Sequence, residues 1–134
     1  MNKLLEKQII QMKEIEQELR LNAKPGKDPA NYLIYAVDIG HNQMIWRIIE
    51  QYGYPTKKMI GEKGMKAFWL LIQHQDYDLE LQKQCLKNCD FDVESKQLLT
   101  DRVLINSGEK QIYGTQHMRL PDGKIVVAPV KKRK

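Results

Sequence analysis

The sequence predicts an α+β domain, mostly helical, with four to five helices followed by an antiparallel β-hairpin or small sheet at the C-terminus. Apolar residues recur every three or four positions as far as Leu99, whereas β-prone runs separated by glycine-containing turns occupy the end. Helices first and strands last are typical of this class. With 134 residues, 42% of them hydrophobic, we expect one domain over residues 1–130 and a basic tail over residues 131–134.

An amphipathic helix is predicted over residues 1–22. Its apolar stripe consists of Leu5, Ile9, Met12, Ile15 and Leu19, set among Glu, Lys and Gln. The stripe is too short for the several heptads that indicate a coiled coil, so packing on its own domain is the favoured interpretation. Residues 4–21 are also a candidate surface for self-association or for a protein partner.

A second helix is predicted over residues 29–52. Asp28 followed by Pro29 is a helix start, a capping carboxylate before proline at the first helical position. The inward stripe is formed by Ile34, Val37, His41, Ile45, Ile48 and Tyr52. His41 therefore lies where a hydrophobic residue is expected, and a core histidine is a more common explanation than a ligand.

Three shorter helices follow, at residues 62–75, 77–88 and 93–102. Gly53 and Pro55 end the second helix, and "TKKMIG" at residues 56–61 is interpreted as a connector. Asp76 has two interpretations, as the cap of the fourth helix or as a member of a site.

The strand region is predicted over residues 103–128 as β-hairpins. "VLIN" and "QIYGTQ" are β-prone and flank "SGEK", and "LPDGK" marks a second turn before "IVVAP". Strand alternation would place Gln111, Tyr113 and Thr115 on one face.

Composition excludes several classes of protein. The charged N-terminus and the absence of a long apolar run predict a cytoplasmic protein with no membrane segment. Cys85 and Cys89 have no companion pair to complete a zinc site and are interpreted as reduced thiols. The net charge is +5, and the tail supplies four of these charges, so nucleic-acid binding is not favoured.

Several blocks of sequence carry a family resemblance. They are "GYPTKKMIG", "AFWLLIQHQD", "DRV" and "QIYGTQ", in that order over residues 53–116. With these blocks the chain resembles an uncharacterised bacterial family, domain-of-unknown-function family 6624. Asp38 with His41 or Asn42 is similar to the family's Asp-x-x-Asn, and Tyr54 stands where members commonly have tryptophan. The resemblance implies a shared fold and transfers no activity.

The polar residues of these blocks are the candidate site. We expect His74 to be a general acid or base, because histidine titrates near neutrality, with Asp76 or Asp101 orienting it. The planar guanidinium of Arg102 is suited to bind an anion through two hydrogen bonds. The ring of Tyr113 could line the site, with its hydroxyl group as a hydrogen-bond donor. The candidate substrate-binding residues are Trp69, Gln73, Arg102, Gln111, Tyr113, Thr115 and Gln116.

Two alternatives accompany this hypothesis. The same residues could form a buried structural network that fixes how the C-terminal region docks. A metal site is not demanded by the spacing, since His74 and Asp76 could share an ion only if the helix ends there. No metal ligand is therefore assigned, and the cofactor is unknown. No glycine-rich phosphate loop and no serine-hydrolase elbow is present.

The expected function is a small enzyme, a hydrolase or lyase, that acts on a compact polar or anionic substrate. The reason is the density of hydrogen-bonding groups within apolar helix and strand patterns. The alternative is a module that binds a small molecule or a protein without catalysis.

Overall fold

Five helices and one two-stranded sheet make up the described part of the chain. The structure is a computed structural model that describes residues 1–23 and 29–132, and the side chains at 29 and 30 lie outside the description. The elements are α1 (Lys3–Asn22), α2 (Pro29–Tyr52), α3 (Lys57–Gln73), α4 (Leu79–Asn88), α5 (Val93–Asn106), β1 (His117–Arg119) and β2 (Ile125–Val127). The predicted α+β, mostly helical class is confirmed.

Helix α3 lies at the centre of the packing. It contacts α1, α4 and α5, and its buried side chains lie on most sides of the helix. The buried apolar residues of α3 include Ile60, Met65, Phe68, Leu71 and Ile72. Helix α1 packs on α3 and α2 through Leu5, Ile9 and Met12. The apolar stripe of the first helix is thus used within its own chain, as expected.

Helix α2 has the predicted bounds, and its histidine is buried on the inward stripe with Ile45 and Ile48. The predicted cap at Asp28 lies outside the described residues, as do the last two residues of the basic tail. Over the part of the chain that the structure describes, no helix combines the length and apolar character needed to cross a membrane.

Helix α3 begins earlier than predicted, so the interpretation of residues 56–61 as a connector was wrong. Thr56 caps the helix by accepting a hydrogen bond from the N–H of Met59 at 3.3 Å. Gly61 then interrupts the helical conformation with a φ of 77°, which glycine adopts without steric cost. The sequence pattern detected only the segment after this kink.

Helix α5 continues through "VLIN", which was predicted to be a strand. Asp92 caps its start, accepting from the N–H of Ser95 at 2.7 Å. Leu99 and Val103 lie one turn apart and are both buried, so the apolar residues of this run also suit a helix face. A short apolar run does not distinguish the two structures without this packing.

The "SGEK" segment ends α5 and does not form the predicted hairpin turn. Gly108 has a φ of 79°, and its N–H donates to the carbonyl of Ile105 at 3.0 Å. The N–H of Glu109 donates to the carbonyl of Leu104 at 2.9 Å. These two hydrogen bonds form a Schellman motif, which satisfies the last carbonyl groups of a helix.

The observed hairpin is shorter than the predicted strand region. Strand β1 pairs with β2 in antiparallel register, with Met118 opposite Val126. The turn at "LPDGK" is confirmed, since the N–H of Leu120 donates to the carbonyl of Lys124 at 2.8 Å. "QIYGTQ" is a loop, and its one ladder contact is a parallel bridge from Gln111 to Val130.

Both cysteines are free and buried, at positions 85 and 89. Helix α4 begins at Leu79, two residues later than predicted. A hydrogen bond with Cys89, together with burial, raises the pKa of the Cys85 thiol. The Cys85 thiol is therefore held protonated on the buried face of α4.

Two helical glycines provide a test of how closely α1 approaches α3. An added Cβ at Gly64 would lie 3.2 Å from Cγ of Glu6 and 3.1 Å from Ile60, whereas one at Gly40 would meet nothing within 4 Å. We expect Gly40→Ala to raise the free energy of unfolding by about 0.5–1 kcal/mol, because alanine is the better helix former. Gly64→Ala should show no such gain in urea denaturation. Equal stabilisation by both substitutions would contradict the close approach.

Candidate functional site

The segment at residues 73–78, "QHQDYD", connects α3 to α4 and bonds to three other helices. Its side chains and their partners are Gln73 to Leu98 O (3.3 Å), His74 to Glu16, Gln75 to Asp38 O (3.0 Å), Asp76 to Arg102, Tyr77 to Asp38 O (2.9 Å) and Asp78 to Asn42 (2.8 Å). Successive side chains therefore reach α5, α1 and α2. This segment is the polar junction of the fold.

His74 was predicted to pair with Asp76 or Asp101, but in the structure it pairs with Glu16. Its Nδ1 contacts Oε1 of Glu16, whose side chain is fully buried, whereas the imidazole side chain is 19% exposed. An ionised carboxylate only accepts hydrogen bonds, so contact with an ionised Glu16 requires the proton of the ring to be on Nδ1. No group among the described residues bonds to Nε2 of His74.

Arg20 links this pair to α2. Its guanidinium donates to both carboxylate oxygens of Asp38, at 3.3 and 2.9 Å, and lies 3.6 Å from Oε1 of Glu16. The second oxygen of Glu16, Oε2, is buried and has no hydrogen-bond partner among the described residues. One arginine thus balances two carboxylates, and one acceptor oxygen remains unused.

His41 lies beside the same group of charges. It is buried, and its Nδ1 has no hydrogen-bond partner in the described part of the chain. Burial lowers the pKa of His41, and the charge of Arg20 adds to this, against the opposite effect of Glu16 and Asp38. The ring is therefore a neutral, incompletely bonded group next to the pair formed by His74 and Glu16.

Asp76 serves neither as the helix cap nor as the partner of His74. Asp78 caps α4, accepting from the N–H of Leu81 at 3.0 Å. Asp76 instead accepts from Nε and Nη2 of Arg102, both at 2.7 Å, and from Asn106 at 2.9 Å. Burial acts to raise the pKa of Asp76, but these hydrogen bonds lower it more. The guanidinium of Arg102 is already engaged by a carboxylate.

Asp101 holds the "QIYGTQ" loop and lies away from His74. Its buried carboxylate accepts from the N–H groups of Ile112, Tyr113 and Thr115 at 2.8, 2.9 and 3.0 Å, and from the Thr115 hydroxyl at 2.8 Å. Burial opposes ionisation of Asp101, and these four hydrogen bonds outweigh it, so the pKa is lowered. Its role in the structure is to shape the loop.

Gln111 is a second structural residue of this loop. Its side chain is fully buried, donates to the carbonyls of Gln116 and Ala128 at 2.9 and 2.8 Å, and accepts from the N–H of Gln116 at 2.8 Å. These hydrogen bonds join the loop to the base of the hairpin. Tyr113, by contrast, is 51% exposed.

Part of the predicted site does converge. Gln73 and Gln116 both donate to the carbonyl of Leu98, at 3.3 and 3.5 Å, and Arg102 donates to Oε1 of Gln116 at 3.2 Å. With Asp76 these residues form one cluster, which joins the end of α3 to α5 and the loop. His74 points into a separate cluster with α1 and α2, and Trp69 lines a groove between α1 and α3.

Sequence reasoning missed Glu16 and Arg20. The detectable signal was the spacing of the first helix, since Ile9, Met12 and Glu16 lie three and four residues apart on one face. Ile15 was assigned to the stripe in place of Glu16, yet it is 49% exposed. A charged residue on a buried face was the clue. No group of three or more His, Cys, Asp or Glu side chains in the described residues is arranged to hold a metal ion.

Comparison with known proteins places the chain in a family. The model of the family of unknown function DUF6624 matches residues 3–134. The chain belongs to this family. No curated protein and no solved structure matches the chain. The resemblance seen in the "AFWLLIQHQD" and "QIYGTQ" blocks is confirmed, and in this DUF6624 member both blocks lie at the junctions described above.

The loop of this DUF6624 protein depends on a charged acceptor at position 101. Asp101→Asn would replace one accepting oxygen by an NH2 group that faces N–H or O–H donors. We expect the free energy of unfolding to fall by about 2–3 kcal/mol, the usual cost of breaking hydrogen bonds to a buried charge. Urea denaturation measures the change, with Asp122→Asn in the exposed turn as the matched control. A loss equal to that of the control would disprove the role.

His41 should make the stability of this DUF6624 member depend on pH. In the unfolded chain its pKa is near the ordinary value of 6.5, and burial lowers it in the folded protein. The unfolded state then binds more protons as the pH falls below that value, so the free energy of unfolding decreases. We expect His41→Asn to flatten this dependence between about pH 7.5 and about pH 5.

The matched control for this substitution is His117→Asn, since His117 is exposed on β1. It should leave the pH dependence of unfolding unchanged. If the two variants follow the same curve, the buried imidazole does not contribute.

Proposed function

We propose that this protein is a small enzyme, a hydrolase or lyase, in which His74 is the general acid or base and Glu16 orients its ring. One observation carries the proposal. Nδ1 of a partly exposed histidine is held by a fully buried carboxylate, and no described residue occupies Nε2. A carboxylate on one ring nitrogen fixes the tautomer and leaves the other nitrogen to exchange protons with a substrate.

The chemistry follows from this orientation. With the neutral ring protonated at Nδ1, Nε2 carries the lone pair that can remove a proton from water or from a substrate. The imidazolium that forms is stabilised by Glu16, and Nε2–H can then donate the proton to a leaving group. Arg20 and Asp38 hold Glu16 in place at the junction of α1 and α2.

The substrate is proposed to be compact and polar, and Arg102 is not assigned to it. Arg102 was expected to clamp an anion, but its N–H groups are directed to Asp76 and Gln116. An anion at that position would have to displace a carboxylate from a two-bond contact, which is the stronger form of this interaction. Asp101 is likewise omitted, because its oxygens are bonded to the loop.

The test uses His74→Asn, Glu16→Gln and the exposed control His117→Asn. Each is checked for folding by circular dichroism, then screened with the wild type against ester, amide, phosphoester and dehydration substrates. For any substrate turned over by the wild type, we expect His74→Asn to lower kcat by roughly 10²–10⁴-fold, the usual contribution of positioned proton transfer. Glu16→Gln should give an intermediate kcat, because glutamine can accept from Nδ1–H without stabilising the imidazolium.

A second measurement needs no substrate. Nitrogen NMR of the neutral His74 ring should show the proton on Nδ1. A folded His74→Asn variant with the wild-type rate would contradict the proposal, as would a wild-type ring protonated at Nε2.

A second candidate, a protein-interaction module, is favoured by the outer face of α1. Leu4, Ile15 and Leu21 are exposed by 68, 49 and 81%, so residues 4–21 present apolar surface as well as their buried stripe. This function predicts self-association or capture of a partner with no turnover. The substrate screen separates it from the enzyme.

A further inference from the structure

A groove between α1 and α3 has the composition of a ligand site. It is a partly open space of about 180 Å³, and Ile10, Ala67, Trp69 and Leu70 form its apolar wall. Three lysines also line it, Lys13, Lys63 and Lys66. An apolar lining with a few charged groups is the usual composition of a small-molecule site.

The charge of the groove has one sign. None of the residues that line it is acidic. Lys13 and Lys63 form no ion pair with any residue that the structure describes, so their charges are uncompensated there. Lys66 differs, since its Nζ forms an ion pair with Asp92 at 3.9 Å, and lies 3.2 Å from the Ser95 hydroxyl and 4.8 Å from the centre of the Trp69 ring. The groove therefore favours a ligand with one anionic group beside an apolar body.

The volume sets the size of that body. An engineered protein cavity of about 150 Å³ with apolar walls accepts benzene, so a groove of about 180 Å³ suits one ring or a short branched chain. We propose that the groove binds a compact amphipathic carboxylate, a single-ring aromatic acid or a short branched-chain acid. Its apolar body lies against Trp69 and Leu70, and its carboxylate meets Lys13 and Lys63.

The position of the groove connects it to the proposed enzyme. Leu70 lies one helical turn before His74, whose N–H donates to the carbonyl of Leu70 at 3.3 Å. The two residues are thus about 6 Å apart along the helix axis. That this carboxylate is also the substrate of the enzyme rests on the proposed function, which it makes more specific. The groove would hold the carboxylate end, and His74 would act on the other polar group of the same molecule.

Binding is tested with para-fluorobenzoate, followed by fluorine NMR of the probe and by the two tryptophan indole signals of the protein. We expect saturable binding that shifts the Trp69 signal. The Trp46 indole donates to Asp78 at 2.9 Å in another part of the molecule and should not move. Para-fluorobenzamide, which has the same ring without the charge, and inorganic phosphate, which has the charge without the ring, should both bind more weakly.

The charge requirement is tested with Lys13→Gln/Lys63→Gln. We expect the Kd for para-fluorobenzoate to rise roughly twofold to thirtyfold, the range for the loss of two exposed ion pairs. Lys83→Gln/Lys87→Gln on α4 removes the same charge from exposed lysines away from the groove and should leave the Kd unchanged. An equal effect of both double variants, equal binding of the benzamide, or no saturable shift of Trp69 would overturn the inference.

The His74→Asn variant separates this inference from the proposed function. It should bind para-fluorobenzoate with the wild-type Kd, because His74 does not line the groove. Loss of turnover with binding retained supports both statements. Retained turnover in this variant removes the catalytic role and leaves the groove, whereas absence of probe binding to the wild type removes the groove and leaves the catalytic test intact.

Discussion

The structure depends on the burial of one carboxylate. Glu16 continues the apolar stripe of α1 and is fully buried, so its charge must be balanced within the protein. His74 at the end of α3 and Arg20 one turn along α1 provide that balance, and Arg20 carries the connection to Asp38 on α2. Leaving such a charge unpaired costs about 3–5 kcal/mol, so the C-terminal ends of α1 and α3 are required to meet at this point, against the middle of α2.

The six polar residues at positions 73–78, which begin with the last residue of α3, show how one short segment can serve both folding and function. Most of them have their hydrogen-bonding groups directed to another element, and these contacts explain the positions of Asp76, Asp78 and Tyr77 without any ligand. Burial and the charges of two nearby carboxylates raise the pKa of Tyr77 to about 12, so its hydroxyl remains a donor. His74 differs, because its unbonded nitrogen belongs to a partly exposed ring that can carry a proton, whereas the unbonded amide oxygens of Gln73 and Gln75 are buried. That difference separates a catalytic candidate from its structural neighbours.

Local signals in the sequence predicted the helices well and the tertiary partners poorly. The bounds of α2 and the "LPDGK" turn followed from proline, glycine and apolar spacing, which act over a few residues. The "VLIN" run was misassigned because a short apolar segment suits a strand or a buried helix face equally. Arg102 does contact Gln116, another residue of the predicted set, but the partner of His74 lies 58 residues away on a helix whose inner face was predicted to be purely apolar. Such pairings depend on how the helices pack against one another. The spacing of residues along a single helix does not predict that packing.

The buried thiol of Cys85 on α4 can report how often this helix separates from the rest of the protein. Only the thiolate reacts with alkylating reagents, and the form present at Cys85 is the protonated one, with no exposed surface. Chemical labelling therefore has to wait until α4 separates from the core. The rate of labelling therefore reports how often α4 opens locally. Spectroscopy of the whole chain gives only an average over all elements and does not isolate this local opening.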